Sequence, residues 1–270
     1  MRLGIGSYAY AWSIGVPGHL PARPLTVFDL LAEAVRLGVR VIQVCDNLPL
    51  TSLTGGELDE FERRAVAAGV AVEVGMRGLQ PDHVRAHLRL AQRFHSPFVR
   101  LVVDGPGDEP SPAEVVARLR ALLPEFQRAG VKVAVENHDR FQARTLVGII
   151  EQVGAEDAGI CLDTVNSFGA LEGPEVVVQQ LAPYTLNLHV KDFTIQRMAS
   201  KMGFVLTGCP AGEGRLDLPW LLGQLRRVGR DVNAILETWP PWGPTLEATL
   251  DRERLWAETS VRHLRQLIPD

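Results

Sequence analysis

Residues 185–192 read TLNLHVKD, and the side chains in this stretch alternate between two kinds. Leucine and valine occupy one set of positions, and the other set holds Asn187, His189 and Lys191. Successive side chains of a β-strand point to opposite faces of the sheet. Residues 131–138, VKVAVENH, repeat the alternation. Both stretches therefore predict strands that pack an apolar face against helices and turn a polar face the other way.

A short apolar strand followed by an amphipathic helical stretch recurs eight times along the chain. The predicted strands are 3–9, 39–46, 70–77, 98–104, 131–138, 159–165, 185–192 and 233–239. The predicted helices are 26–37, 56–68, 81–94, 112–129, 143–153, 174–181, 217–228 and 246–267. A doubly wound sheet is disfavoured because neither GxGxxG nor GxxxxGK(S/T) occurs. We therefore predict a single α/β domain, a (β/α)8 TIM barrel that spans residues 1–270.

The composition is that of an ordinary globular protein, with 46% hydrophobic residues, 22% charged residues and a net charge of −4. A protein that binds a phosphate backbone normally has a basic face, so nucleic acid is not an expected partner. The apolar runs are shorter than the roughly 20 residues that cross a membrane, and no signal-peptide pattern is present. Cys45, Cys161 and Cys209 show no CxxC spacing. We therefore expect a cytoplasmic protein without disulfides or a membrane partner.

Four residues of metal-binding type stand near the carboxyl ends of the last four predicted strands, where the active sites of TIM barrels form. They are Glu136, Asp163, His189 and Glu237. The alternation turns Glu136 and His189 into the barrel, and Asp163 and Glu237 fit the same register. A single carboxylate of this kind is more often an ion-pair partner, but four ligand types at one level indicate a site. They suit one divalent ion, with Mn²⁺ preferred and Mg²⁺, Co²⁺ or Zn²⁺ as alternatives.

The chain resembles the xylose isomerase-like TIM-barrel superfamily of sugar phosphate isomerases and epimerases. The resemblance is most specific in the motifs VENH, CLDTVNS, HVKDF, GEGRLD and LET. It implies that Glu136, Asp163, His189 and Glu237 bind the metal. In the ketose 3-epimerases of this superfamily the two glutamates also act as acid and base on opposite faces of the substrate. The resemblance therefore implies catalytic roles for Glu136 and Glu237 and a small carbohydrate substrate.

Three positions depart from the epimerase pattern of that superfamily. Asn166 stands in place of a histidine, Gln142 in place of a second glutamate, and Ile195 in place of an arginine. A divalent ion that chelates a carbonyl and an adjacent hydroxyl stabilises an enediolate, which serves epimerisation, isomerisation, dehydration and decarboxylation alike. We therefore expect a metal-dependent sugar or sugar-acid isomerase or epimerase. The alternative is a lyase on the same scaffold, a decarboxylase or dehydratase of a keto-sugar acid.

Cations near the predicted site indicate the charge of the substrate. Lys191 projects inward two residues after His189, and the long excursion 193–216 carries Arg197 and Lys201. Such cations pair with the carboxylate of a sugar acid or with a phosphate group. The lack of a glycine-rich phosphate-binding motif favours the carboxylate, so we expect an anionic substrate that contacts Lys191, Arg197 and Lys201.

Three further residues are candidates for substrate contacts: Tyr8, His138 and Asn166. Tyr8 could wall a sugar pocket or simply pack, and His138 could bind a substrate hydroxyl or a neighbouring strand. Glu73 and Arg100 stand on adjacent predicted strands, and we expect a structural ion pair between them. The sequence leaves the oligomeric state open, with a homo-oligomer among the alternatives.

Overall fold

Eight parallel strands close into a barrel in the computed structural model, which describes residues 1–154 and 156–269. The strands are β1 (Leu3–Gly6), β2 (Val41–Val44), β3 (Ala71–Arg77), β4 (Phe98–Val102), β5 (Lys132–Glu136), β6 (Ala158–Asp163), β7 (Thr185–Val190), β8 (Asp192–Arg197), β9 (Phe204–Cys209) and β10 (Ala234–Leu236). β1 closes the barrel against β10, and β8 pairs with β9 outside it. The predicted (β/α)8 barrel is confirmed, although the predicted strands extend a few residues beyond the observed ones.

Helices cover the outside of the barrel, with signals in the sequence at many of their ends. They are α1 (Ala11–Ile14), α2 (Val27–Leu37), α3 (Gly55–Ala68), α4 (Pro81–Arg93), α5 (Pro112–Ala129), α6 (Ala143–Val153), α7 (Pro174–Leu181), α8 (Leu218–Arg227) and α9 (Leu246–Leu264). Gly38, Gly69 and Gly130 end α2, α3 and α5 in the left-handed conformation that glycine adopts easily. Within the described residues, no helix combines the length and the apolarity that a membrane span needs.

The polar faces of the strands fill the barrel interior, and the strand register decides which side chains meet. The expected ion pair between Glu73 and Arg100 was wrong, because Arg100 is level with Gly75 rather than with Glu73. A Cβ atom at position 75 would lie 3.3 Å from Cδ of Arg100, so the glycine leaves space for the arginine side chain. Arg100 instead reaches Glu136 and Asp46, one layer nearer the carboxyl ends of the strands.

The excursion after β7 contains an antiparallel hairpin that the sequence analysis did not predict. β8 and β9 pair along their whole length, from Asp192 beside Cys209 to Arg197 beside Phe204. Apolar side chains near the tip, those of Met198 and Phe204 among them, are exposed. The segments DFTIQR and FVLTGC contain the β-branched and aromatic residues that favour strands. The signal was therefore present in both segments, which only the six residues 198–203, MASKMG, separate.

Glu253 of α9 ties the first loop after β1 to the outer layer of helices. Its carboxylate accepts hydrogen bonds from the backbone N–H groups of Trp12 at 2.8 Å and Ser13 at 2.9 Å. The Ser13 hydroxyl donates a third hydrogen bond at 2.6 Å. Burial raises the pKa of Glu253 to about 7, although these donors oppose the shift.

We predict that this buried carboxyl makes the fold less stable as the pH rises from about 4.5 to about 7. Because the pKa of Glu253 is higher in the folded protein, its contribution is complete below the unfolded value and is lost as the pH passes the folded value. Each pKa unit corresponds to about 1.4 kcal/mol. Glu253→Gln should flatten the pH dependence of the free energy of unfolding, measured by chemical denaturation. Asp251→Asn, on the exposed face of the same helix, is the control and should leave that dependence unchanged.

Candidate metal centre

Four side chains converge at the carboxyl ends of β5, β6, β7 and β10. They are Glu136, Asp163, His189 and Glu237, and all four are buried. Nδ1 of His189 lies 3.3 Å from Oε2 of Glu136 and 3.7 Å from Oδ2 of Asp163. The same nitrogen lies 3.4 Å from Oε1 of Glu237. The fold therefore brings together the four residues that the sequence singled out as metal ligands.

The atoms that face each other in this cluster are short of partners. Apart from a lysine ammonium described below, Oδ2 of Asp163, Nδ1 of His189 and both carboxylate oxygens of Glu237 have no hydrogen-bond partner within residues 1–154 and 156–269. Buried polar atoms are rarely left in this state. Donors about 2.1 Å from one cation lie about 3.0–3.4 Å from one another, close to the separations around Nδ1. The donor set therefore fits a divalent cation, and the preference for Mn²⁺ stays a prediction.

Hydrogen bonds from outside the cluster hold the remaining atoms of the ligands. Oδ1 of Asp163 accepts from two successive backbone N–H groups, the second of which belongs to Asn166. The side chain of Asn166 donates to Oε1 of Glu136 at 2.8 Å. Nε2 of His189 lies 2.6 Å from Oε1 of Gln43. Asp163 and His189 are thus each anchored on one side and leave one atom directed at the shared centre, and Asn166 anchors one oxygen of Glu136.

Two cations accompany the cluster, and Lys191, just after β7, is the less buried of them, with its side chain 13% exposed. Its Nζ lies 2.8 Å from Oδ2 of Asp163 and 2.8 Å from Oε2 of Glu237. Burial alone would lower the pKa of Lys191, but these carboxylates raise it well above its usual range. Burial likewise opposes ionisation of Asp163, yet Lys191 and His189 lower the pKa of its carboxyl. The ammonium therefore neutralises part of the cluster and occupies the side of the same oxygens that a metal ion would approach.

Arg100 of β4 is the second cation. Its Nε donates to Oε2 of Glu136, and its Nη1 donates to Oδ1 of Asp46 at 3.1 Å. Burial would raise the pKa of the Glu136 carboxyl, but the guanidinium of Arg100 lowers it below its usual value. With Asn166 on Oε1, both oxygens of Glu136 accept hydrogen bonds.

Tyr8 and His138, two of the predicted substrate contacts, lie at the rim of the site. The hydroxyl of Tyr8 donates to Oδ2 of Asp46 at 2.9 Å. Arg77 lies with Nε 3.5 Å from the same oxygen and with Nη2 3.3 Å from Nε2 of His138. The sequence analysis missed Asp46 and Arg77, although each is the last residue of a predicted strand and so lies at the same end of the strands as the predicted ligands.

Arg197 and Lys201 lie on the β8–β9 hairpin, and both are exposed. Arg197 donates to the backbone carbonyl of Lys201 at 3.0 Å, and its guanidinium carbon lies 4.4 Å from the ring centroid of Phe204. Within the part of the chain that the structure describes, neither side chain pairs with one of the four predicted ligands. Their contact with a substrate stays a prediction.

The sequence matches the xylose isomerase-like TIM barrel family over residues 31–267. It is 33% identical over 266 residues to the 3-oxo-isoapionate decarboxylase of Pectobacterium atrosepticum (strain SCRI 1043). That match covers 98% of this chain and 95% of the decarboxylase.

Two solved structures are similar in fold. One is the D-psicose 3-epimerase of Clostridium cellulolyticum H10 with D-tagatose, at a TM-score of 0.70 and 14% identity over 99% of each chain. The other is a xylose isomerase-like TIM barrel protein from Mycobacterium smegmatis in complex with magnesium, at a TM-score of 0.68 and 16% identity over 97% of each chain. Identities this low show a likeness of fold.

We predict that Gly6, at the end of β1, keeps open the space in which the Glu237 carboxylate sits. A Cβ atom at position 6 would lie 3.1 Å from both Cγ and Oε1 of Glu237. The backbone of Gly6 is extended, with φ of −89°, so alanine meets no backbone strain there. Its Cβ atom would push the Glu237 side chain, and Cγ2 of Ile235 at 3.2 Å, by a few tenths of an ångström. Gly6→Ala should therefore weaken Mn²⁺ binding by about tenfold or more, as measured by isothermal titration, with little change in thermal unfolding.

The matched control for this prediction is Gly148→Ala in α6. A Cβ atom at position 148 meets no atom within 4 Å, so this variant should bind Mn²⁺ like the unchanged protein. Equal Mn²⁺ affinities in the two variants would contradict the packing role of Gly6.

Proposed function

The chain belongs to the xylose isomerase-like TIM-barrel family, and from that membership we propose that it is a divalent-metal-dependent decarboxylase of a 3-oxo sugar acid. The support from comparison is the 3-oxo-isoapionate decarboxylase that matches nearly the whole chain at 33% identity. A 3-oxo acid carries its carbonyl group β to its carboxylate. That arrangement allows the loss of CO₂ to leave an enolate, the kind of anion that this barrel site is suited to stabilise.

The charge balance of the site is the observation that carries the proposal. Ion pairs join four carboxylates and three cations into one network. Its members are Glu136, Asp163, Glu237, Asp46, Lys191, Arg100 and Arg77. This ion-paired network has a net charge of −1, and the buried Glu73 lies outside it. A substrate carboxylate can pair with Lys191, the cation of the network that contacts two ligand oxygens, whereas a neutral ketose offers it no charge.

The proposed metal ligands are Glu136, Asp163, His189 and Glu237, and the proposed ion is Mn²⁺, with Mg²⁺, Co²⁺ or Zn²⁺ as alternatives. When bound, the ion would supply Lewis-acid stabilisation for negative charge on the carbonyl oxygen of the substrate. The support is the set of unpartnered donor atoms around Nδ1 of His189. Lys191 contacts two of the same oxygens, so a bound ion would compete with it for them. The ammonium of Lys191 would then be available to the substrate.

Decarboxylation breaks the bond between the carboxylate and the adjacent carbon, and the bonding electron pair passes toward the carbonyl as CO₂ leaves. The carbon of the resulting enolate then takes up one proton. In the proposed reaction Lys191 would hold the carboxylate through a charge-assisted hydrogen bond, and Glu237 would take up one proton from solvent and pass it to that carbon. The reaction needs no base to remove a C–H proton. This agrees with Glu136, whose two oxygens already accept hydrogen bonds from Arg100 and Asn166.

The remaining predicted contacts belong to the sugar part of the substrate. Tyr8, His138 and Asn166 are the proposed partners of its hydroxyl groups. Contacts from Arg197 and Lys201 require the β8–β9 hairpin to approach the site. A cytoplasmic location is part of the proposal, and assembly into a homo-oligomer stays open.

A sugar isomerase or epimerase is the second candidate. It is favoured by the closeness of two carboxylates, since Glu136 and Glu237 each come within 3.4 Å of Nδ1 of His189. Two carboxylates so placed can remove and return a proton at a carbon next to a carbonyl. The predicted sharing of proton transfer between these two glutamates stays a prediction for that reaction.

The experiment that tests the proposed function compares 3-oxo sugar acids with neutral ketoses as substrates for the Mn²⁺-loaded protein. We expect CO₂ release from an acid, followed in a coupled assay, and one solvent deuterium at the carbon that carried the carboxylate, seen by NMR in D₂O. Removal of metal with EDTA should abolish turnover, and added Mn²⁺ should restore it. Deuterium entering neutral ketoses, with no CO₂ released from any acid, would place the isomerase or epimerase first.

We predict that Lys191→Met lowers kcat/KM for acidic substrates by roughly tenfold to a hundredfold and for neutral ketoses far less. The loss corresponds to one charge-assisted hydrogen bond of about 1.5–3 kcal/mol. Mn²⁺ affinity, measured by isothermal titration, should be kept or increased, because the variant lacks an ammonium that faces two of the ligand oxygens. If acidic and neutral substrates suffered alike and Mn²⁺ affinity fell, Lys191 would serve only to balance charge in the site.

A further inference from the structure

A chain of buried amides lies beneath the metal centre and ends on His189. Oε1 of Gln43 lies 2.6 Å from Nε2 of His189. The other end of the same amide, Nε2 of Gln43, donates to Oε2 of Glu73 at 3.1 Å and to Oδ1 of Asn187 at 2.9 Å. Gln43, Asn187 and His189 have no measurable exposure, so no water competes for these hydrogen bonds.

Glu73 fixes the direction of every hydrogen bond in this chain. Its carboxylate accepts from Gln43, from Nδ2 of Asn187 at 3.1 Å and from Nδ2 of Asn233 at 2.8 Å. Burial raises the pKa of Glu73, and the three amide donors oppose that shift because they stabilise the ionised form. An ionised carboxylate only accepts hydrogen bonds, so each amide turns its NH₂ group toward it. The carbonyl oxygen of Gln43 is then left to face His189. If Gln43 turned around, its NH₂ group would lose both acceptors, and its oxygen would face the carboxylate.

The direction of the chain determines which ring nitrogen of His189 carries the proton. Oε1 of Gln43 can only accept, so Nε2 of His189 must donate, and in the neutral ring Nδ1 then has a free lone pair. That lone pair faces the oxygens of Glu136, Asp163 and Glu237. A neutral imidazole with its lone pair on this side is the form that binds a metal.

We infer that Glu73, acting through Gln43, sets the tautomer of His189 and thereby makes Nδ1 available to a divalent cation. The inference rests on the proposed metal site, and it assigns Glu73 and Gln43 as positioning residues that do not touch the metal or the substrate. A purely structural role for the buried amides is the competing explanation. Under that explanation each buried polar atom needs a hydrogen-bond partner, but the direction of the hydrogen bonds has no effect on metal binding.

The test reverses the direction of the chain and then restores it. In Glu73→Gln the side chain keeps its size but gains an NH₂ group, which allows Gln43 to turn and present its own NH₂ to His189. Adding Gln43→Glu places a carboxylate beside Nε2 of His189, and a carboxylate accepts hydrogen bonds in either orientation. The NH₂ group introduced by Glu73→Gln then donates to that carboxylate. Thr185→Val, at the opposite end of β7, removes one buried hydrogen bond to Leu181 and is the control for general loss of stability.

Two measurements follow each variant. The first is the tautomer of His189 in metal-free protein, from ¹⁵N chemical shifts of histidine-labelled samples at alkaline pH, where the ring is neutral. The second is Mn²⁺ affinity by isothermal titration. We expect the unchanged protein to carry the proton on Nε2, and Glu73→Gln to shift it toward Nδ1 and weaken Mn²⁺ binding by about 10- to 100-fold. The double variant should regain the Nε2–H form and bind Mn²⁺ within a few-fold of the unchanged protein.

The outcomes separate the inference from the metal site on which it rests. If the unchanged protein carries the proton on Nδ1, or if Glu73→Gln keeps both the Nε2–H form and its Mn²⁺ affinity, the inference is overturned. A double variant that binds Mn²⁺ more weakly than Glu73→Gln would also overturn it and would support the structural explanation. If the tautomers change as expected but no protein binds Mn²⁺, the proposed metal site fails and the control of the tautomer stands.

Discussion

Three carboxylates buried within 3.7 Å of a single imidazole nitrogen are the constraint on which the site depends. Like charges held this close without water repel strongly, so they persist only if cations accompany them. Lys191 and Arg100 supply two positive charges from within the chain, and each contacts the carboxylates directly. Within the described residues, Nδ1 of His189 and Oε1 of Glu237 still lack a partner and lie 3.4 Å apart, an arrangement that fits a shared cation. The barrel makes this crowding possible by bringing the carboxyl ends of its strands together.

Most of the fold could be predicted because its strands carry two signals at once. The apolar set that packs on the helices and the polar set that faces inward alternate in 185–192 and in 131–138, and glycines mark the ends of several helices. The β8–β9 hairpin (Asp192–Arg197 with Phe204–Cys209) escaped prediction because it belongs to neither layer. Its apolar residues beyond Phe193, such as Phe204 and Val205, are exposed, so they do not follow the alternation that burial against a core imposes on the barrel strands.

The four predicted ligands were accessible to sequence reasoning because position at a strand end depends on the chain alone. The residues that hydrogen-bond to these ligands could not be predicted, because such contacts depend on strand register and on distances across the barrel. Arg100 was paired with Glu73 on strand adjacency, yet it is level with Gly75 and reaches Glu136 instead. Gln43 of β2 meets His189 of β7, although these strands are not neighbours in the sheet. Only the closed barrel brings such pairs together, and no spacing in the sequence encodes them.

The same charge constraint connects the site to the reaction. Donors that stabilise a carboxylate weaken it as a base, and both oxygens of Glu136 accept hydrogen bonds, from Arg100 and from Asn166. Within the described residues, the oxygens of Glu237 have no hydrogen-bond partner apart from the ammonium of Lys191. The difference between the two glutamates and the presence of Lys191 therefore support the proposed reaction, in which a carboxylate is lost as CO₂ and a single proton is returned. Epimerisation would call on both glutamates, and the guanidinium of Arg100 lowers the pKa of Glu136 and so its strength as a base.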